Sequence, residues 1–236
     1  QLPRLYRVYK KLGIVESFQD ILDNFFGPLF SVSIDPSSDP DLHVFLQHMR
    51  GFDCVDDESQ PEMKGISFTS PADWTRAENP PYQYWLYFLW ANIQTLNHFR
   101  CERGLSTFYL RPHCGEAGNK SHLHSGYLLA DHINHGIRLK GTPVLCYLFY
   151  LDQIGLAMSP LSNNRLFLSY SKNPFFEFFR MGMNVSLSTD DPLQLHFTKD
   201  ALLEEYSVAR QVFTLSNCDV CELARNSVLQ RGFEHP

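Results

Sequence analysis

The sequence predicts an α/β protein built from parallel strands joined by helices, and three observations carry that prediction. Helix-like segments and short apolar strand-like segments alternate along 236 residues, which is the pattern of consecutive βα units. The polar residues with chemical potential recur where those strands end: His113, His135, Ser159 and Asp190. The composition, 44% hydrophobic and 14% aromatic, is too apolar for a disordered chain and sufficient for a sizeable core. Sites at strand C-termini belong to (β/α)8 barrels, whose loops after the strands build the active site. A doubly wound open sheet would place a site there as well. Only about five strands are legible, too few to close an eight-stranded barrel, so the barrel reading and the reading of the chain as a fragment support each other.

In order along the chain, helical spacing covers Phe18 to Phe30 and ends in the turn-rich Asp35-Pro36-Ser37-Ser38. Leu42 to Met49 continues as helix, and a strand is expected near Gly51 to Val55. Residues 56–81 are acidic and rich in Ser and Pro, and read as a long loop. Asn79 is expected to cap a helix with Pro80 in its first turn, with Trp85, Leu89, Ile93 and Leu96 on one face and Gly104 beyond its end. Thr107 to Arg111 reads as a strand that delivers His113 at its C-terminal end. Further helices are expected over Leu123 to Ile133, Val144 to Leu151, Phe175 to Met181 and Leu202 to Phe213, the last with Asp200 as N-cap. Further strands are expected over Ile154 to Met158 and Val185 to Ser188.

A net charge of −6 argues against a nucleic-acid surface. No apolar run approaches the roughly 20 residues of a membrane helix, and no signal peptide is visible. The chain starts at Gln1 and stops at His235-Pro236 just after a helix. Both ends read as cuts, and the expected organisation is a single partial catalytic barrel domain over residues 1–236, with the first strands and the extreme C-terminus outside it. Six cysteines in apolar or helical contexts read as reduced thiols. Ser216 and Asp219 form a capping box that places the lone Cys218-x-x-Cys221 in the first turns of a helix, in a structural role.

His113 and Glu116, three apart on a glycine-flanked turn, together with the paired Asp190 and Asp191, point to metal-assisted hydrolysis. Catalytic zinc takes His nitrogen and Asp oxygen and keeps one position open for water, whose pKa it lowers. His113 and Asp190 are therefore the ligand candidates. Glu116 can sit near a metal without binding it and, with a pKa raised by burial, donate a proton. Asp191 can turn toward the substrate where the strand ends, although adjacent residues in a regular strand face opposite ways. His135, between Asn134 and Gly136, is the candidate to orient or deprotonate the attacking water. His132 is placed on the preceding helix and ranks lower, while His122 and His124 at a helix start are expected at the surface. Dinucleotide, phosphate-loop and GxSxG motifs are absent, as is the H-x-E with P-C-x-x-C of zinc nucleobase deaminases.

At this point the residues acquire a resemblance. His113 to Gly118 and Ser186 to Pro192 resemble the adenosine/AMP deaminase family of the metal-dependent amidohydrolase superfamily. Longer stretches resemble the AMP deaminase branch: Gly51-Phe52-Asp53, Val55 to Ser59, Arg111-Pro112, Ala157 to Asn164, Pro192-Leu193-Gln194 and Cys221 to Val228. The resemblance covers essentially the whole chain. It implies a (β/α)8 barrel of the amidohydrolase type and hydrolysis of the purine 6-amino group, giving IMP and ammonia from AMP. It implies one Zn2+ per subunit with His113 and Asp190 among its ligands, Glu116 binding the purine and protonating N1, and His135 accepting the proton of the water. Asp191 would contact water and substrate, and Pro192, Leu193 and Gln194 would line the nucleotide site. The family's first two zinc ligands come from a His-x-His at the end of the first barrel strand, and the match here begins near the third. Activity is therefore expected of a longer parent and not of this piece alone. A homotetramer in the cytosol, with no nucleic-acid partner and no membrane span, completes the expectation. An adenosine-type deaminase acting on the nucleoside, or a truncated oligomer subunit without catalysis, are the alternatives.

Overall fold

The computed structural model describes residues 1–63 and 68–233, and these pack as two compact units. The first comprises Gln1–Pro112, Leu128–Ala130 and Gly232–Phe233; the second comprises His113–Tyr127 and Asp131–Arg231.

The first unit runs β1 (Leu2–Pro3), α1 (Tyr6–Lys11), α2 (Phe18–Ile34), α3 (Pro40–His48), β2 (Gly51–Phe52), β3 (Cys54–Val55), α4 (Tyr82–Cys101) and β4 (Tyr109–Leu110). Its strands form two parallel pairs, β1 with β3 and β2 with β4. A capping box between Ser17 and Asp20 starts α2, satisfying N–H groups that a first helical turn leaves free. Phe18 then packs 4.8 Å from the Trp85 ring of α4, and Trp85, Leu89, Ile93 and Leu96 are buried as their spacing predicts.

The start of α4 differs from expectation. Pro80 and Pro81 hold the backbone extended, because a residue before proline is driven out of the helical region, and the helix begins only at Tyr82. Asn79 caps nothing; its side chain accepts the Arg7 N–H at 2.7 Å and donates to the Arg4 carbonyl at 2.9 Å. The Tyr82 N–H is taken instead by a Glu62 carboxylate oxygen at 3.0 Å. Part of the expected 56–81 loop, residues 64–67, lies outside the described residues.

The second unit contains β5 (His113–Cys114), α5 (His122–Leu129, whose last residues pass into the first unit), β6 (His132–His135), α6 (Pro143–Leu151), β7 (Gly155–Met158), α7 (Pro160–Leu166), α8 (Phe175–Arg180), β8 (Val185–Leu187), α9 (Pro192–Leu195), α10 (Ala201–Phe213) and α11 (Asn217–Gln230). The strands form one parallel sheet in the order β5-β6-β7-β8, the neighbour-by-neighbour order of consecutive βα units in a barrel. Ile133, Leu156, Met158, Val185 and Leu187 of these strands are buried, as are Phe149 of α6, Phe175 and Phe178 of α8 and Leu223 of α11.

Several expectations are corrected from β4 onward. The strand expected at Thr107 to Arg111 does not deliver His113, because Pro112, which has no N–H to give a ladder, separates β4 from a new strand. His113 is the first residue of that strand, β5, and pairs with Asn134. The helix expected to run to Ile133 stops at Leu129, since residues 132–135 alternate half-buried and buried and pair with Gly155 to Ala157. His132 is thus a strand residue whose Nδ1 accepts the Gly155 N–H at 3.0 Å. His122, expected at the surface, is buried, while His124 is exposed. The helices α7 and α9 were not foreseen; each starts with proline, α7 one residue after β7 and α9 four residues after β8, where the missing N–H costs nothing. Asp200 precedes α10 as expected but makes no side-chain cap, whereas the Ser216–Asp219 capping box of α11 is present. Cys218 and Cys221 are free and exposed.

The fit of α5 on β5 can be tested at Gly126. Alanine normally favours a helix interior over glycine by about 1 kcal/mol, but a Cβ at Gly126 would stand 2.6 Å from the Cys114 sulfur, which is itself buried. Overpacking of this kind costs about 1–3 kcal/mol, so Gly126→Ala is expected to lower stability in urea denaturation despite the better helix former. A rise would show that α5 stands further from β5.

Candidate metal centre

The cluster is made by two backbone turns. After β6 the chain enters the left-handed region twice in succession, at His135 (φ 70°) and Gly136 (φ 64°). Histidine tolerates that conformation better than most side chains. Glycine is required beside it, because a Cβ at Gly136 would press on Leu156, Ile133 and Leu139 at 3.1 to 3.3 Å. The Gly136 N–H donates to the Cys114 carbonyl at 3.1 Å and the Arg138 N–H to the Gly115 carbonyl at 2.8 Å, pinning the turn to the end of β5. After β8, Ser188 still donates to the Met158 carbonyl at 2.9 Å, and Asp190 then turns with φ 59°. Among the described residues four non-glycines have positive φ, and two of them are His135 and Asp190. Such conformations cost of order 1–3 kcal/mol and persist where the surroundings impose them, often at functional sites.

These turns bring His113, His135 and Asp190 together, with one donor atom of each within 4.8 Å of the others. His113 Nε2 lies 3.6 Å from Asp190 Oδ1, and His135 Nε2 lies 3.9 Å from Asp190 Oδ2. These separations exceed good hydrogen bonds. They suit a shared cation, since ligand atoms each about 2.0–2.2 Å from one zinc stand roughly 3.3 Å apart across a tetrahedral edge. Nitrogen and carboxylate donors, buried and convergent, fit that metal.

A ring of polar side chains fixes the cluster. The Ser162 hydroxyl donates to Asp190 Oδ2 at 2.6 Å. Asn163 Nδ2 donates to Glu116 Oε1 at 3.0 Å and stands 3.5 Å from His135 Nδ1. Glu116 Oε1 itself lies 3.7 Å from that nitrogen. Asn173 Nδ2 donates to Asn163 Oδ1 at 3.2 Å, and Asn134 Nδ2 stands 3.5 Å from His113 Nδ1. Ser159, at the end of β7, shares a 2.7 Å hydrogen bond with Ser188 at the end of β8. Of the residues singled out in the sequence, His113, Glu116, His135 and Asp190 therefore converge. Asp191, before α9, and Pro192, Leu193 and Gln194 in it are exposed, Leu193 to 99%. Sequence reasoning missed Ser162 and Asn163, which are fully buried at the start of α7. The available signal was a Ser-Pro-x-Ser-Asn run at a strand end, with proline marking a helix whose first turn faces the site.

Burial alone would raise the Asp190 carboxyl, but the neighbouring His113 ring, the His135 charge and the Ser162 hydroxyl outweigh it and hold the pKa at about 2, below the ordinary 3.8. A carboxyl depressed in the folded state stabilises fully above its unfolded pKa and loses that contribution as pH falls through the folded one. Metal-free protein is thus expected to lose about 2 kcal/mol between roughly pH 4 and pH 2 on account of Asp190. Acid unfolding of the Asp190→Asn variant is expected to lack this component; identical acid profiles would contradict it.

A family model described as AMP deaminase matches residues 1–236. The AMP deaminase of Saccharomyces cerevisiae is 59% identical over 235 residues, covering 99% of this chain and 29% of that protein. Those of Schizosaccharomyces pombe and Dictyostelium discoideum are each 60% identical, covering 99% and 100% of this chain and 28% and 30% of theirs. The chain thus spans about three-tenths of the length of the curated relatives it matches. Among solved structures, an adenine deaminase of Arthrobacter aurescens superimposes with a TM-score of 0.50 at 25% identity, over 59% of this chain and 42% of that one. An amidohydrolase of Burkholderia ambifaria with bound Zn superimposes with a TM-score of 0.51 at 19% identity, over 69% and 43%. The latter likeness is one of fold, that of a partial amidohydrolase-type barrel. With a family match along its full length and identities near three-fifths to proteins of that name, the chain belongs to the AMP deaminase family.

Proposed function

We propose that the longer protein containing this chain hydrolyses AMP to IMP and ammonia, and that the His113–His135–Asp190 cluster is the reacting centre. The observation that carries this reading is the convergence of two buried imidazoles and a carboxylate, with Glu116 held beside them by Asn163. His113 and Asp190 would hold one zinc ion per subunit. A zinc ion held there would supply a Lewis acid that lowers the pKa of a water toward neutrality. His135 takes the proton that this water gives up, its ring oriented through Nδ1 by Asn163. Glu116 donates a proton to purine N1, which makes C6 more electrophilic. The proton that His135 has taken passes to the 6-amino group, which leaves as ammonia as the C6–N bond breaks, and the new C6 hydroxyl returns a proton to Glu116 as it becomes the carbonyl of IMP. Asn163 spans the Glu116 carboxylate and the His135 ring, so the two proton-carrying groups keep a fixed separation. Asp191, Pro192, Leu193 and Gln194 would meet substrate from α9.

AMP is preferred over adenosine as the substrate because the longer motifs and the relatives quoted above are those of AMP deaminases. No described helix is long and apolar enough to cross a membrane; a cytosolic homotetramer is the assembly proposed. The His122-x-His124 of this chain lies on α5, so the strand-end His-x-His that the family supplies must come from elsewhere in the parent, and the excised chain is expected to be inactive.

In the full-length protein, Asp190→Ala is expected to lower zinc content and AMP turnover together. Glu116→Gln is expected to keep zinc while turnover falls about 10²–10⁴-fold, the usual range for a lost general acid. Metal analysis beside an ammonia-release assay on AMP and on adenosine reads both. Full activity of Glu116→Gln would remove the proton-donor role, and a preference for adenosine would overturn the substrate.

A further inference from the structure

Glu205 is a buried acid that the chemistry above does not use. It sits in α10 with 1% of its surface exposed, on a helix whose next buried position, Ala209, is apolar. A carboxyl so deeply enclosed is strongly disfavoured unless both its oxygens are matched, and here they are. One oxygen accepts the backbone N–H of Leu161, in the first turn of α7, at 2.9 Å. The other lies 3.0 Å from Nε2 of His196, whose side chain is wholly enclosed. His196 Nδ1 has no hydrogen-bond partner among the described residues, so Glu205 is the polar group that orients its ring. The pair stays joined whichever of the two carries the proton. The preceding residue, Glu204, holds the same segment from its far side by accepting the N–H groups of Phe197 and Thr198, each at 3.0 Å.

Both segments that Glu205 touches lead directly to the metal centre. Leu161 is followed by Ser162, which grips Asp190, and Asn163, which grips Glu116. His196 closes the short α9 that begins immediately after Asp190 and Asp191. We propose that Glu205 is a positioning residue, its carboxylate tying the α7 loop to the segment after β8 and so setting Asp190 against Ser162. The inference rests on the reading of the cluster as the reacting centre.

The test uses the full-length protein and compares Glu205→Met, which fills the space without acceptors, with Glu205→Gln, which keeps an acceptor for Leu161 and a polar group for His196. Partners one layer outside a metal site typically carry about 10–100-fold in affinity or activity. Glu205→Met is expected to lose kcat for AMP in that range with KM changed less than about threefold, and to bind zinc about tenfold more weakly. Glu205→Gln is expected to stay within about threefold of wild type in both readings. Thermal unfolding normalises both variants to folded protein. His196→Asn, which releases one of the two ties, is expected to show an intermediate loss and covers the case in which Glu205→Met does not fold. Wild-type kcat and zinc affinity in folded Glu205→Met, or in His196→Asn should the former not fold, would overturn the proposal, as would an equal loss in Glu205→Gln. If wild type itself does not turn over AMP, the proposed reaction fails, while weakened zinc binding in the Met variant still reports the placement of Asp190.

Discussion

The structure depends on four short parallel strands that end in register. Cys114 pairs with His135, and Met158 with Leu187, so the chain must leave the sheet at one level along β5, β6, β7 and β8. In a parallel sheet each strand is left by a turn into a crossover, and the residue at that turn is freed from packing in the core. Polar side chains that would be costly anywhere else in these strands are tolerated there, and they meet because the strand ends are neighbours. The two left-handed turns at His135 and Asp190 are where this constraint is tightest.

Electrostatics then decides what such a meeting place can do. Two buried imidazoles facing one carboxylate make a site where charge has little water to screen it, and the Asp190 carboxyl is held ionised well into acid. The neutral side chains around it, Ser162, Asn163, Asn173 and Asn134, add hydrogen bonds without adding charge. That division of labour leaves Asp190 and His113 free to share a cation, while His135 and Glu116 are kept nearby to move protons without joining it. Glu205 extends the same logic one layer further, with a buried carboxyl matched at both oxygens and placed where two segments must be kept together.

Much of this was legible in the residues. The α/β class, most helices and the strands at Gly155 and Val185 follow from periodicity and turn residues, and His113, Glu116, His135 and Asp190 from their places at strand ends. Other features depended on competition that sequence does not display. His132 and Ile133 look like the end of the preceding helix, and become strand because pairing with β7 outweighs a weak helical pattern. Asn79 has the chemistry of a cap, yet two prolines delay the helix past its reach. Ser162, Asn163 and Glu205 are invisible as site residues because their roles arise from contacts 28, 47 and 44 residues away. Pairings of that separation are fixed only when the sheet has formed.

The central claim, that His113 on β5 and Asp190 in the turn after β8 hold a metal, is tested most directly by anomalous diffraction at the zinc edge from crystals of the full-length protein. A peak about 2.0–2.2 Å from both a His113 ring nitrogen and an Asp190 carboxylate oxygen is the expected result. Zinc bound elsewhere in the molecule, with His113 and Asp190 out of reach of it, would contradict the account.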